Sequence, residues 1–268
     1  MAKPSLTNQK LANLADVLEI KSYPEPAWLP QDKNRVFHWN YGFVEEDFFS
    51  NLPIFGKKLL KVRLFSADLG PASSVRQGIL PLAKIYRPNE LEKKMDAALN
   101  LVRQYYSGPI GAENYNYYPT GLYERIADPR FITRLIKKFG LYLVLDLAHA
   151  RVSAFNLKTP ILDYLGQLPL SRVAEIHVSR PYIPKQKNAL AVDTHLPPGP
   201  TEWRLLKWLL TRIPPPWPLL VVECYQSSSI VLAAYEKLLA VVKDIKPLAV
   251  KEASNPNAAK MPLEPFIF

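Results

Sequence analysis

The sequence predicts a single (β/α)8 barrel. Three observations carry that expectation. The chain has 268 residues, close to the roughly 250 typical of such a barrel. Short, apolar, β-branched runs alternate with longer stretches of helical period, the pattern of a parallel α/β sheet. Polar residues of the metal-binding kinds recur at the C-terminal ends of those runs, where a barrel gathers its active site.

Taken in order, the strand candidates are Val17–Lys21, Arg35–Asn40, Lys61–Ala67, Ile110–Asn114, Tyr142–Ala148, Val173–Ser179, Leu219–Tyr225 and Pro247–Lys251. Helical patterns fall between them. Glu45–Phe55 is modest. Asn89–Tyr106 spaces Leu91, Met95, Ala98, Leu99 and Val102 along one face. Asp128–Phe139 opens on an Asp cap and Pro129, and Gly140 follows as its stop. Thr201–Arg212 ends at the run Pro214–Pro216, and Ser227–Val242 opens on serine caps. Arg180–Leu190 has no period and reads as a loop over the barrel mouth. One domain over residues 1–268 is expected, with an N-terminal extension through 16 and a C-terminal tail from 252.

The barrel strands deliver a distinctive set at their C-terminal ends. His38 follows Arg-Val-Phe, Glu113 follows Ile-Gly-Ala, and Asp146 and His149 lie in Leu-Val-Leu-Asp-Leu-Ala-His. His177 lies in Ala-Glu-Ile-His-Val, Asp193 and His195 in Val-Asp-Thr-His, and Glu223 in Leu-Val-Val-Glu-Cys. All four histidines of the chain are in this set. Each residue alone has a plain structural reading: a core histidine, a carboxylate paired with lysine, or, for Asp146, a helix cap. Together, on consecutive strand ends, they are expected to form a metal site. Mixed imidazole and carboxylate donors suit iron, manganese or zinc, and more donors than one ion needs imply two or three divalent ions. Asp68, in Ser66-Ala67-Asp68 at the end of the third strand, is a further candidate ligand or a cap. Asn114 and Arg180 are candidate catalytic residues, Arg180 as a partner for an anionic substrate group. Tyr117 and Tyr118 are candidates for lining the mouth.

Composition narrows the function classes. The formal net charge is +10, which can attract nucleic acid, phosphate esters or an acidic peptide. The basic residues are dispersed, however, and no stacking motif of a nucleic-acid module is present. The single cysteine, Cys224, precludes an intramolecular disulfide and is expected to be buried and inert. No signal-like segment opens the sequence and no apolar run approaches membrane-spanning length; a cytoplasmic protein is expected. Gly108-Pro109-Ile110-Gly111 lacks the ending of a phosphate loop, and no nucleophile elbow occurs.

The order His38, Glu113, Asp146-x-x-His149, His177, Asp193-x-His195, Glu223 resembles the xylose-isomerase-like barrel superfamily, including its endonuclease IV branch. Three segments are closest to the multinuclear non-haem iron-dependent oxidative enzymes: Glu113 to Tyr118, Leu145 to Ala154, and Asp193-Thr194-His195 with Pro200 and Trp203. That resemblance implies two or three irons, dioxygen chemistry on cysteines of ribosomally made peptides, and a partner protein that presents the peptide. By position, it makes His38, Glu113, Asp146, His149, His177, Asp193, His195 and Glu223 ligands. It also implies a histidine at the end of the third strand, where this chain has Asp68. Glu19 on the first strand fits the family pattern. The readings to compare are therefore oxidation of a peptide or small thiol, endonuclease IV-like phosphodiester hydrolysis, sugar isomerisation or epimerisation, and a non-catalytic barrel.

Overall fold

The computed structural model of the chain describes residues 6–21, 29–56, 59, 62–73, 84–186, 188–213 and 215–245. Seven parallel strands form its main sheet: β1 (Val17–Ile20), β2 (Asn34–Trp39), β3 (Phe65–Asp68), β4 (Ile110–Glu113), β5 (Tyr142–Asp146), β6 (Val173–Val178) and β9 (Leu219–Val222), neighbours in that order. A separate antiparallel hairpin, β7 (Arg180–Tyr182) and β8 (Val192–Leu196), follows β6. The helices are α1 (Leu6–Leu14), α2 (Glu46–Phe55), α3 (Pro88–Arg103), α4 (Pro129–Phe139), α5 (Leu147–Asn156), α6 (Ile161–Gly166), α7 (Pro200–Leu210) and α8 (Ser228–Lys243).

The sheet is curled until its two edges meet over one site. His177 of β6 reaches Glu19 of β1, with Nε2 to Oε1 at 3.6 Å. Lys21, just after β1, bonds Glu223, just after β9. Tyr235 of α8 donates to the carbonyl of Leu14. This is the (β/α)8 barrel expected from the sequence. The expected eighth strand, Pro247–Lys251, lies outside the described residues.

Local chemistry accounts for the helices that the sequence marks well. Asp128 accepts a hydrogen bond from Arg130 N, Pro129 occupies the first turn, and Gly140 closes α4 at φ 66°, a left-handed conformation that glycine adopts without a Cβ penalty. Leu91, Met95, Ala98, Leu99 and Val102 form the buried stripe of α3, the face expected from their spacing. Between helices and sheet lies a continuous apolar core that includes Phe37, Phe43, Phe48, Phe65 and Tyr164.

Three readings are corrected. Tyr142–Ala148 is not all strand: β5 stops at Asp146, and Leu147 starts α5. Most of α5 is buried, including Leu147, Ala148, His149, Ala150, Val152 and Ser153, so it lacks the polar stripe that gives a helix its period. Arg180–Leu190 is not loop throughout, because Arg180–Tyr182 is the first arm of the hairpin, with Tyr182 opposite Val192. The third strand runs over Phe65–Asp68, so Val62–Leu64 of the expected Lys61–Ala67 are not strand, Lys61 lying outside the described residues; the pairing of Phe65 with Ile110 and of Asp68 with Glu113 sets its direction.

Alternation along the strands stacks the barrel interior in layers. Val36, Leu64 and Val144 form a small apolar cluster with Val17 and Leu219. Two residues further along the same strands come His38, Ser66 and Asp146. The polar site therefore rests on a floor that is apolar at Val36, Leu64 and Val144, with Glu19 and Glu175 level with Val36 and Val144 on its other side. Gly111 completes this level. A Cβ there would stand 2.9 Å from Val144 Cγ2 and 3.2 Å from Ser66 Cβ, so any side chain would have to displace the floor.

Candidate metal centre

Strand register brings the polar residues together. His38 pairs with Ser66, Asp68 with Glu113, and Asp146 with His177. Because the strands are parallel, their C-terminal ends share one end of the barrel, and His38, Asp68, Glu113, Asp146, His149, His177 and Glu223 are all buried there. Asp193 and His195 come from β8, which lays its inner edge across the same opening.

Glu113 is the hub. Its Oε2 stands 3.3 Å from His38 Nε2 and 3.6 Å from His177 Nδ1, and its Oε1 stands 3.1 Å from His149 Nδ1. On one side, His38 Nε2 is also 3.4 Å from Asp68 Oδ1, while its Nδ1 is held at 3.0 Å by Ser66 Oγ. On the other, His149 Nε2 is 3.2 Å from Asp193 Oδ2, which is 3.1 Å from His195 Nδ1. His195 Nε2 then lies 3.5 Å from Glu223 Oε1, and Glu223 Oε2 is 2.9 Å from His177 Nδ1. The chain of contacts closes on itself.

Among the described residues four overlapping groups of donor atoms follow, each lying within 4.8 Å of one another: His38, Asp68 and Glu113; Glu113, Asp146, His177 and Glu223; Asp146, His149 and His195; and, below these, Glu19, Glu175 and His177. All nine residues expected at the site are thus in one cluster. Asp193 contacts the third group without being counted in it. The two candidate catalytic residues fare differently. The amide of Asn114 is fully engaged with Asp146, donating to its carbonyl at 3.0 Å and accepting from its N–H at 2.9 Å; it positions β5 rather than facing the opening. Arg180 is exposed on β7, outside the donor groups. Tyr118 reaches the site as the acceptor of a long bond from Asp193 N. Cys224 is buried and free, as expected, and burial raises its thiol pKa.

Four residues at the site escaped the sequence reading. Lys21 bonds Glu223 and stands 3.7 Å from Glu19. Tyr225 stacks on His195 with ring centroids 4.4 Å apart and donates to Glu223 at 2.7 Å. Ser66 orients His38. Glu175 lies beneath His177, fully buried. The signal for Glu175 was present, because position 175 shares the inward parity of 177. His195 itself has φ 44°, a left-handed conformation uncommon for a residue with a side chain, though His is enriched there; such conformations cluster at functional sites.

The electrostatics are those of a site crowded with like charges. Burial pushes Asp146 up to about 6; His149 opposes this, while Glu113, Glu223 and Asp193 add to it. Burial also pushes on Glu113, but His177, His38 and His149 outweigh it and hold it at about 2. Burial disfavours the charged form of His195, yet Asp193 and Glu223 raise it to about 10. His38, His149 and His177 are raised as well: each is desolvated, and each is compensated by carboxylates.

These directions give a signed pH prediction for the metal-free chain. A histidine raised above its unfolded value contributes stability below about pH 6.5 that is lost as pH climbs through its folded pKa. Asp146, a raised carboxylate, acts in the same direction through about 6. Lowered Glu113 contributes stability above about 4.5 that is lost as pH falls toward 2. Thermal midpoints of the metal-free chain should peak near pH 5–6 and decline steadily toward pH 10. Divalent-ion affinity should rise over that same range, because donors must shed protons to bind. A flat or rising midpoint between pH 6 and 10 would refute the assignment.

Comparison with known proteins agrees with the fold. Among solved structures, a xylose isomerase domain containing protein from Salmonella typhimurium LT2 superposes with a TM-score of 0.63 at 11% identity, covering 88% of this chain and 91% of that one. A D-tagatose 3-epimerase-like protein gives a TM-score of 0.58 at 13% identity over the same shares. At such identities the likeness is one of fold. Among sequence relatives, a UPF0276 protein of Caulobacter vibrioides is 30% identical over 120 residues, 44% of this chain and 42% of the relative. One of Vibrio parahaemolyticus is 32% identical over 111 residues, 40% of this chain and 38% of the relative. The matched region thus spans less than half the length of these relatives. Among the described residues, no helix is long and apolar enough to cross a membrane. The profile of the RiPP precursor modification enzymes MbnB, TglH and ChrH matches residues 61–234, well over half the chain and most of the donor set, and the chain therefore belongs to the MbnB/TglH/ChrH family of RiPP precursor modification enzymes.

Proposed function

We propose that this protein is a multinuclear metal-dependent oxidative enzyme that uses two or three divalent ions, iron foremost, to modify a peptide or small thiol. The observation that carries the reading is the set of overlapping donor groups, three of the four linked through Glu113 and Asp146. The residues fit such ions. Asp146 Oδ2 and both ring nitrogens of His177 are buried without a hydrogen bond, and orphaned polar atoms at 0% exposure are costly unless something else satisfies them. Imidazole and carboxylate together, with no thiolate among them, is the donor chemistry of iron, manganese or zinc.

In this reading His38, Asp68 and Glu113 hold one ion, Glu113, Asp146, His177 and Glu223 a second, and His149, Asp193 and His195, with Asp146, a third. Bound there, the ions supply the redox capacity and Lewis acidity to oxidise a thiol with dioxygen. The protein supplies the rest. Lys21 balances the charge of Glu223. Tyr225 covers His195 and fixes Glu223 through its hydroxyl. Asp68, standing where the resembled family has histidine, keeps an oxygen donor in the first group. The hairpin β7–β8 carries Asp193 and His195 to the opening, and Arg180, exposed on β7, would meet a peptide carboxylate. A partner protein that presents the peptide belongs to the same proposal.

The test is reconstitution. The purified chain is loaded anaerobically with ferrous iron, metal per chain is measured, and oxygen uptake is followed with a cysteine-containing precursor peptide encoded beside its gene, with and without the neighbouring partner protein. Two or three irons per chain and peptide-dependent oxygen uptake are expected. Stoichiometric iron without uptake would refute the oxidative reading, and cleavage of abasic-site DNA by that same preparation would favour hydrolysis.

A further inference from the structure

A second polar layer lies directly beneath the proposed ions. Glu175, two residues before His177 on the inward side of β6, is completely buried, and neither of its carboxylate oxygens makes a hydrogen bond. Glu19 of β1 faces it, with its Oε1 likewise buried and unbonded. Both approach one nitrogen of one ring: His177 Nε2 is 3.5 Å from Glu175 Oε1 and 3.6 Å from Glu19 Oε1. The other nitrogen, Nδ1, faces the opposite way, 2.9 Å from Glu223 Oε2 and 3.6 Å from Glu113 Oε2.

We infer that Glu175 and Glu19 are positioning residues: they accept the Nε2–H of His177 and so direct the Nδ1 lone pair at the group formed by Glu113, Asp146 and Glu223. The inference rests on the metal reading above and adds which nitrogen binds and what holds the ring. A neutral imidazole has one N–H and one lone pair, and a metal takes the lone pair. The acceptor at the far nitrogen therefore decides which nitrogen binds. With ions held by Glu113, Asp146 and Glu223, the carboxylates at Nδ1 are engaged as ligands, and the two acidic oxygens at Nε2 are the acceptors left to hold the proton there. A shift of ~0.5 Å closes either contact to a normal hydrogen bond. A carboxylate on the far nitrogen also makes the ligand more basic and fixes the plane of the ring.

The same arrangement explains why two carboxylates are tolerated at this depth. An unpaired buried carboxylate is strongly disfavoured. Here Lys21 Nζ lies 3.7 Å from Glu19 Oε1, and the His177 N–H is shared between Glu19 and Glu175. The alternative is a further ion held by Glu19, Glu175 and Nε2, which would require His177 to bridge two ions through a deprotonated ring. The positioning role needs no such ring, and Lys21 already brings positive charge to this layer.

Two measurements test the inference on the full chain. The first loads ring-15N-histidine protein with 113Cd and reads cadmium coupling at the ring nitrogens of the four histidines, with His177 assigned by a His177→Gln variant. Coupling at His177 Nδ1 with a protonated Nε2 is expected; coupling at Nε2, or at both nitrogens, overturns the inference. The second titrates Glu175→Leu and Glu175→Gln against a chelator. Glu175→Leu should weaken the most affected ion by ~10–100-fold without lowering the thermal midpoint of the metal-free chain, and Glu175→Gln, which keeps an acceptor, should recover part of that loss. Glu175→Leu binding within about twofold of the parent, or binding exactly one ion fewer with the remaining affinities unchanged, would overturn it. If the parent chain takes up no ion at all, the metal reading fails and this inference with it; a loaded parent with an indifferent Glu175 removes only the inference.

Discussion

Replacing Glu113 by glutamine should abolish activity and remove at least one ion per chain. Glutamine has the same shape, so packing at this 2%-exposed position is preserved and the change is one of charge and donor number. Glu113 belongs to two of the four donor groups and lies between three histidines, so its loss weakens two proposed ions together. A fall of about 10²–10³-fold or more in turnover is expected, the scale of removing one preorganised electrostatic group. The metal-free chain should also lose stability. Breaking a buried ion pair from one side costs about 3–5 kcal/mol. Here the lower figure applies, because His38, His149 and His177, whose pKa values Glu113 helps to raise, can shed their protons once it is gone. At about 2–4 °C per kcal/mol for a domain of this size, the midpoint should drop by roughly 10 °C near pH 6 and by less at pH 9. Elemental analysis, oxygen uptake and thermal scans at two pH values check these outcomes. Full metal loading with activity within about tenfold of the parent would remove Glu113 from the centre.

The legibility of this site from sequence follows from barrel geometry. A strand end is visible as an apolar run that stops at a polar residue, and in a barrel all such ends face the same space. His38, Glu113, Asp146, His177 and Glu223 could therefore be placed together without any contact information. Lys21 and Tyr225 could not, because their roles depend on β1 and β9 closing toward each other, and no local pattern reports where a sheet's edges meet. Glu175 was missed for a different reason. In an ordinary buried strand an inward glutamate contradicts the apolar pattern, and only the strand register, which sets Glu19 level with Val36 and Glu175 level with Val144, shows that one side of the level below the strand ends is polar. The Asn114 amide presents the converse case: beside Glu113 in sequence it looks chemically available, yet its hydrogen bonds to the backbone of Asp146 make it part of the frame. The hairpin β7–β8 was partly hidden because its arms are three and five residues long, too short to show a period of two convincingly.

Asp146→Asn should move stability and activity in opposite directions. The side chain has two separable duties. Oδ1 accepts the N–H of His149 at 2.6 Å and caps α5, while Oδ2 is buried and unbonded, turned to the proposed ions. Asparagine is as good a cap as aspartate, and the hold of Asn114 on residue 146 runs through the backbone, so the fold survives the change. What disappears is a negative charge that burial and the carboxylates of Glu113, Glu223 and Asp193 push up to about 6. A carboxylate whose folded pKa exceeds its unfolded value destabilises the fold once pH passes above both, so removing it should stabilise the metal-free chain at pH 7 by roughly 1–3 kcal/mol. The same change deletes a donor common to two of the groups, so metal content and oxygen uptake should collapse. Asp146→Ala separates the duties further: it loses both the charge and the cap, and the missing cap should return about 1 kcal/mol of the gain. The order of midpoints for metal-free protein at pH 7 is therefore Asn above Ala, with Asn above the parent. At pH 4, where the parent carboxyl is protonated, the gap between parent and Asn should close. A lower midpoint for Asp146→Asn than for the parent at pH 7 would mean that the charge on residue 146 supports the metal-free fold, and the site would then have to be built from a different balance of charges than the one described.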